Sequence, residues 1–351
     1  MDLNYLLGQT VRYGASDLHI CVGVPPSIRI HGDLAYLSEP VLTPEDCEML
    51  AKQCVSEEQF QTIQERGQVD VSYALEDKAR FRINVFKQRQ SLAMAIRTIP
   101  MEIPRIDSLG LPEVVLKLCN KQRGLVLVTG PTGSGKSTSL ASMIDYINSK
   151  RRCHIVTIED PIEFLHKHNR SLINQREVGI DTISYGEALR AVLREDPDII
   201  LIGEMRDLET IATALTAAET GHLVFSTLHT VGSAKTIDRI IDVFPPHQQP
   251  QIRTQLSTVL EGIISQQLIR RADGKGRVLA TEVMVHTPAI SNLIREARIP
   301  QINTNIQTGS EFGMYSMDSC IARLYKQGII DYQNACQYSV DIETLKKLIC
   351  R

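Results

Sequence analysis

Residues 124–138 read GLVLVTGPTGSGKST. A short apolar run, GLVLVT, leads into GPTGSGKST at 130–138, which fits G-x-x-x-x-G-K-[ST]. A strand before the glycines and a helix after them are the context in which this motif holds phosphate. Glycines let the main chain fold around phosphate oxygens without a Cβ in the way. Successive N–H groups and the start of the following helix then form an anion cradle. The expected cradle is Gly130, Pro131, Thr132, Gly133, Ser134, Gly135, Lys136, Ser137 and Thr138. Lys136 is expected at the β- and γ-phosphates, Ser137 as a hydroxyl ligand of Mg²⁺, and Thr138 near the α-phosphate. ATP and Mg²⁺ are therefore the expected ligands.

Downstream, the spacing predicts alternating helices and strands. Ser137 to Asn148 reads as a helix and HIVTIED as a strand. Ser184-Tyr-Gly-Glu187 reads as a capping box opening EALRAVLRE. DIILIGE is a third buried strand, Asp207 caps a helix that stops at Gly221, and HLVFSTLH is a fourth strand. Buried strands without alternation, spaced by helices, predict a largely parallel sheet covered on both faces. From about residue 245 onward the pattern reads as mostly helical, interrupted by a hairpin-like RADGKGRVLATEVM.

Three acids follow the second strand in IVTIEDPIEF, residues 155–164. This strand comes directly after the P-loop helix and is expected near the P-loop strand. Glu159, Asp160 and Glu163 would then stand at the ligand edge. ATP hydrolysis needs one acidic group to orient or deprotonate water. The residues alone do not rank Glu159 against Glu163. Glu204 ends DIILIGE, where a parallel strand opens on the phosphate loop, and is expected to hold Mg²⁺ through water. Asp198, at the strand's beginning, is expected to structure the connection. His222 and His229 bracket HLVFSTLH and approach the nucleotide only through different ends or from a neighbouring subunit. His166 and His168 lack the further ligands a metal site needs.

Upstream, the first hundred residues read as a smaller α+β domain. SIRIHGDL alternates, with a turn at Gly32-Asp33, and Thr43-Pro44-Glu45-Asp46 opens a helix. VDVSYAL, ARFRINVF and SLAMAIRTIP are strands. In ARFRINVF, Phe81, Ile83 and Val85 face one way and Arg80, Arg82 and Asn84 the other. Arg97 likewise opposes Leu92, Met94 and Ile96. Such a face is either wet or anion-binding. The proline-bearing stretch that follows predicts a linker, giving domains at 1–99 and 113–351 joined by 100–112.

The chain has 351 residues, with 38 Lys plus Arg against 41 Asp plus Glu, a net charge of −3. That balance argues against a protein whose main task is coating nucleic acid. No basic segment followed by a long apolar one opens the chain, and a soluble intracellular protein is expected. The eight cysteines form no CxxC pair and are expected as buried free thiols.

Taken together these motifs resemble the type IV pilus retraction ATPases, the PilT branch of the type II/IV secretion ATPases. SDLHI and IRIHGDL are similar to that family's N-terminal signature, and GPTGSGKST to its Walker A. IEDPIEF resembles its Asp box, LREDPDIILIGEMRD its atypical Walker B, and TGHLVFSTLHT its His box. The resemblance implies an α/β fold: a RecA-like P-loop ATPase domain with a smaller PAS-like N-terminal domain. It implies a cytoplasmic homo-hexamer, peripheral to the inner membrane at the pilus base, that hydrolyses ATP to power retraction and twitching. The implied partners are the inner-membrane platform protein and a second retraction ATPase, with no direct nucleic acid. Glu163 becomes the catalytic glutamate and Glu204 the Walker B glutamate at Mg²⁺. His222 and His229 join the sensing and coupling apparatus, and Arg80, Arg82 and Arg97 reach the nucleotide at a domain or subunit boundary. AISNLIRE, residues 289–296, resembles the family's AIRNLIRE element with Ser291 in place of an arginine. The alternatives are an accessory PilU-like ring and a RecA-like nucleic-acid motor.

Overall fold

The computed structural model describes residues 1–30, 33–75, 79–99 and 102–350. The turn expected at Gly32-Asp33 therefore falls partly outside the described residues. The chain divides into two compact units, Met1–Glu102 and Ile103–Arg351.

The first unit runs α1 (Leu3–Arg12), β1 (Asp17–Ile20), β2 (Ser27–Ile30), β3 (Asp33–Tyr36), α2 (Pro44–Lys52), α3 (Glu57–Arg66), β4 (Gln68–Leu75), β5 (Ala79–Gln88) and β6 (Ser91–Ile99). Its strands pair antiparallel in the order β3-β2-β1-β6-β5-β4. The period of two holds: Phe81, Ile83 and Val85 are fully buried against Leu3, Leu6, Leu50 and Ile63. Helix α2 begins as expected, with Thr43 and Asp46 closing a reciprocal capping box. On the opposite face Arg82 and Arg97 are direct cross-strand partners. Arg97 is bonded to Asp17 at 3.2 Å, and Arg82 lies 3.6 Å from Asp70.

The second unit runs α4 (Val114–Cys119), β7 (Gly124–Thr129), α5 (Lys136–Lys150), β8 (His154–Glu159), β9 (Leu172–Glu177), α6 (Tyr185–Val192), β10 (Ile199–Ile202), α7 (Leu208–Glu219) and β11 (Leu223–Leu228). It continues through α8 (Ser233–Asp242), α9 (Gln249–Val259), β12 (Leu260–Arg270), β13 (Arg277–Val285), α10 (Pro288–Arg295), α11 (Ile302–Thr308), α12 (Met317–Lys326), α13 (Tyr332–Tyr338) and α14 (Ile342–Cys350). The sheet order is β13-β12-β7-β11-β10-β8-β9. All neighbours are parallel except the β12–β13 pair.

Both faces of this sheet are covered, which explains the unbroken apolar runs. Leu127, Val156, Ile200 and Val224 face α6 and α7 through Leu189, Ile211 and Leu215. Val126, Val128, Ile155 and Phe225 face α5 through Leu140, Met143 and Ile144. Ile106 joins the α5-side cluster, and Ser142 donates to the Pro104 carbonyl at 2.6 Å, so the proline-bearing stretch is anchored on this unit. Helices α12 to α14 pack on the hairpin through Ile269, Ala280, Ile321 and Leu345.

Four expectations are sharpened or corrected. Strand β8 shares the sheet with β7, with β11 and β10 between them. The hairpin expected over RADGKGRVLATEVM is present but longer, since its first strand β12 already begins at Leu260 and is continuous with the sheet. Ser184 caps α6 by accepting from Glu187 N–H at 3.2 Å, but the reciprocal bond that would complete a box is absent there. Among the free thiols Cys47, Cys119 and Cys320 are buried whereas Cys350 is exposed. Ser291 is buried, donates to the Ser257 carbonyl at 2.7 Å and lies 2.6 Å from His286 Nε2. Among the described residues no helix is long and apolar enough to cross a membrane.

Candidate active site at the phosphate loop

The main chain leaves β7 at Gly130 with φ +143° and turns again at Gly133 (+77°) and Gly135 (+88°). These are values that favour glycine. A Cβ at Gly130 would collide with the Gln266 carbonyl oxygen, so the loop closes directly onto β12. Lys136 opens α5 and is buried, with Nζ donating to the Gly130 and Pro131 carbonyls at 2.9 and 3.0 Å. Burial pulls its pKa down, opposed by the carboxylates of Glu204 and Glu163. The Ser134 hydroxyl is buried with no protein partner, a donor of the kind an anion in the loop would use.

The two glutamates of IEDPIEF have separate fates. Glu159 closes β8 with its side chain turned inward, accepting from Thr157 Oγ1 at 2.7 Å and Gln175 Nε2 at 3.1 Å. The Glu163 backbone N–H bonds the same carboxylate. Burial raises the Glu159 pKa against those bonds. Ile162 and Phe164 are buried on either side of Glu163, and that anchoring leaves Glu163 exposed. Glu159 is thus turned inward and Glu163 exposed, a difference the residues alone did not show.

Glu204 stands just beyond β10, where Thr227 holds the backbone by donating to the Gly203 carbonyl at 2.6 Å. Its two oxygens meet Arg206 Nε at 2.5 Å and His229 Nε2 at 3.3 Å. His229 therefore reaches the site from the carboxyl end of β11. His222 does not. It sits at the amino end of that strand, with Nδ1 on the Ala217 carbonyl at 2.9 Å, because the strand between the two histidines spans the sheet. Asp198 behaves as expected, accepting from His154 N–H at 2.8 Å where β8 begins. Arg80, Arg82 and Arg97 belong to the first unit and line its wet face.

Two neighbours escaped the motif reading. Arg206 lies two residues past Glu204, in a turn whose geometry no periodicity predicts. The Tyr185 hydroxyl packs against Gly203, where an added Cβ would come within 2.9 Å of it. Burial raises its pKa, helped by Glu204, Asp160 and Glu159. His166 is pushed down to about 4 by burial.

The donors suit Mg²⁺. Ser137 hydroxyl and Glu204 carboxylate are hard oxygen ligands, and no cage of three or more His, Cys, Asp or Glu occurs among the described residues. Mg²⁺ is commonly held by one or two carboxylates together with substrate phosphates. A cavity of about 400 Å³ lies elsewhere, lined by Lys117, Phe312, Tyr315 and Arg323. The open phosphate loop is identified by its backbone and donors, not by depth.

Residues 2–324 match the Type II/IV secretion system protein family. The chain is 50% identical over 335 residues to the type IV pilus retractation ATPase PilT of Pseudomonas aeruginosa, covering 95% of this chain and 97% of that one. It is 39% identical to the type IV pilus ATPase PilU of the same organism over 349 residues, covering 99% and 91%. A crystal structure of the pilus retraction motor PilT with bound ADP superposes with a TM-score of 0.94 at 51% identity, covering 99% of both chains.

Proposed function

The chain belongs to the Type II/IV secretion system protein family, and from that premise we propose that it is an ATP-hydrolysing motor that powers type IV pilus retraction. The observation that carries this is likeness to PilT over 95% of this chain, which holds a phosphate loop with Lys136 buried at the start of its helix. The lower identity to PilU makes the accessory ring the second choice.

In this reading the loop N–H groups and Lys136 bind the phosphates of ATP. Bound Mg²⁺, held by Ser137 and Glu204, would supply charge neutralisation on the phosphate oxygens. Glu163, exposed just beyond β8, orients water and accepts its proton. Glu159 holds the loop that carries Glu163, and His229 holds Glu204. Arg80, Arg82 and Arg97 are assigned to charge neutralisation from a neighbouring subunit, and His222 to coupling between subunits. Loss of phosphate contacts on hydrolysis would release the closed arrangement and move the domains. We assign residues 1–99 and 113–351 as those domains. The proposed assembly is a homo-hexamer on the cytoplasmic side of the inner membrane, working on the pilus platform protein beside a second retraction ATPase.

Glu163→Gln tests the chemistry. Phosphate release should fall about 10²-fold or more, the scale of a lost general base, with assembly and ATP binding retained. Near-normal turnover would sink the assignment. Deletion of the gene tests the biology: abundant pili without twitching is expected, and loss of pili would overturn the retraction reading.

A further inference from the structure

Both helices that open the site begin without a side-chain cap. Helix α5 follows Gly135 and α8 follows Gly232, and neither glycine can supply the usual capping oxygen. What holds them comes from the β12–β13 hairpin. Gln266, fully buried on β12, donates from Nε2 to Ser139 Oγ in α5 at 2.8 Å. Its own carbonyl abuts Gly130, and Leu268 packs 3.6 Å from the position a Cβ on Gly135 would take. One strand therefore touches the phosphate loop at its beginning, at its end and on the helix beyond.

The same hairpin grips the loop that carries His229. Ser265 Oγ accepts from Gly232 N–H at 2.9 Å. Glu282 on β13 accepts from Ser233 N–H at 2.7 Å and Ser233 Oγ at 2.9 Å, a buried carboxylate at the start of α8. Negative charge is favourable there because the helix dipole and free N–H groups point at it. Glu282, Ser265, Thr129 and Leu228 are register partners across β13, β12, β7 and β11. This row crosses the sheet where the phosphate loop and the His229 loop depart.

We propose that the β12–β13 hairpin is a strut that sets these two loops against one another, with Gln266 and Glu282 as positioning residues acting on different steps. Gln266 acts through the phosphate loop and hence on nucleotide affinity. Glu282 acts through Ser233 and the His229 loop, hence on Glu204 and the chemical step. The hairpin also carries α12 to α14, and Thr281 Oγ1 lies 2.6 Å from the Tyr315 hydroxyl, so movement of the C-terminal helices reaches the site through it. This inference rests on the reading of Lys136 and Glu204 as the nucleotide site.

The test uses the full-length assembled protein, a fluorescent ATP analogue for affinity, phosphate release for turnover, and thermal melting as a control. Gln266→Met should weaken affinity about tenfold, the scale of one buried hydrogen bond, with turnover at saturation preserved. Glu282→Met, which removes both acceptor bonds to Ser233, should keep affinity within about twofold and lower turnover about tenfold, the pattern of an interaction that matters only in the transition state. Ser139→Ala removes the Gln266 contact from the other side, and Ser233→Ala removes the hydroxyl bond to Glu282 while its N–H bond stays; they should reproduce the two patterns, the second in weaker form, should a hairpin variant misfold. Parallel loss of both quantities in all four, tracking melting temperature, overturns the proposal, as does no change in either. Lys136→Ala separates the underlying reading: if that variant binds the analogue normally, the nucleotide site itself is wrong.

Discussion

The phosphate loop and the β12–β13 hairpin meet at Gly130 but are built in opposite ways. The loop is local: nine consecutive residues, three glycine turns, and a lysine bonded to carbonyls five and six residues away. The hairpin works at a distance. Gln266 reaches Ser139 across 127 positions and Glu282 reaches Ser233 across 49. A backbone cradle needs no help to be recognised, since glycine spacing alone encodes its shape. Buried side-chain partners carry no such signature, yet each left unpaired would cost about 1–3 kcal/mol. Local geometry thus makes the site, and remote polar contacts hold its parts in place.

The comparison can be broken from either side. Lys136→Ala has the largest expected effect: nucleotide affinity, read with the fluorescent analogue, should fall by about two orders of magnitude or more on loss of the phosphate cation. Melting temperature should hold, because burial already works against this ammonium. A comparable collapse of stability would show that the loop is as structural as the hairpin. Gly130→Ala strikes the contact between them. The added methyl meets the Gln266 carbonyl at a positive φ, and both affinity and stability should fall, the latter by about 1–3 kcal/mol. A soluble variant with wild-type melting would mean that loop and hairpin are not in contact.

His166 belongs to neither region, and its effect is confined to acid pH. Burial holds its pKa near about 4 against an ordinary 6.5. Between those values the unfolded chain takes up a proton that the folded chain refuses, so stability drops as pH falls from 6.5 toward 4. The loss is at most about 3.5 kcal/mol at about 1.4 kcal/mol per unit. His166→Gln should flatten the melting profile over that window and leave it unchanged above pH 7. An identical slope in variant and wild type would assign the acid sensitivity elsewhere.

Legibility followed the same division. β7, β8, β10 and β11 were readable because strands buried on both faces are unbroken runs of aliphatic residues. β12 was not, because LEGIISQQLIR puts Ser265 and Gln266 in the middle of a buried strand. Polar residues there mimic a solvated segment until their partners are known. How many strands separate β8 from β7 was hidden for a related reason: chain order does not state strand order once crossovers intervene. His222 and His229 looked alike in the sequence, and only the direction of β11 separated them.

By itself the sequence determined the phosphate loop, the α/β character of the larger unit and the alternating faces of the smaller one. Each is written in neighbouring residues, where backbone freedom and hydrophobic period act directly. The tertiary structure decided which glutamate of IEDPIEF turns inward and which is exposed, which histidine reaches Glu204, and what grips the two uncapped helices. Those depend on burial and on hydrogen bonds between distant positions, so the chain must fold before they exist.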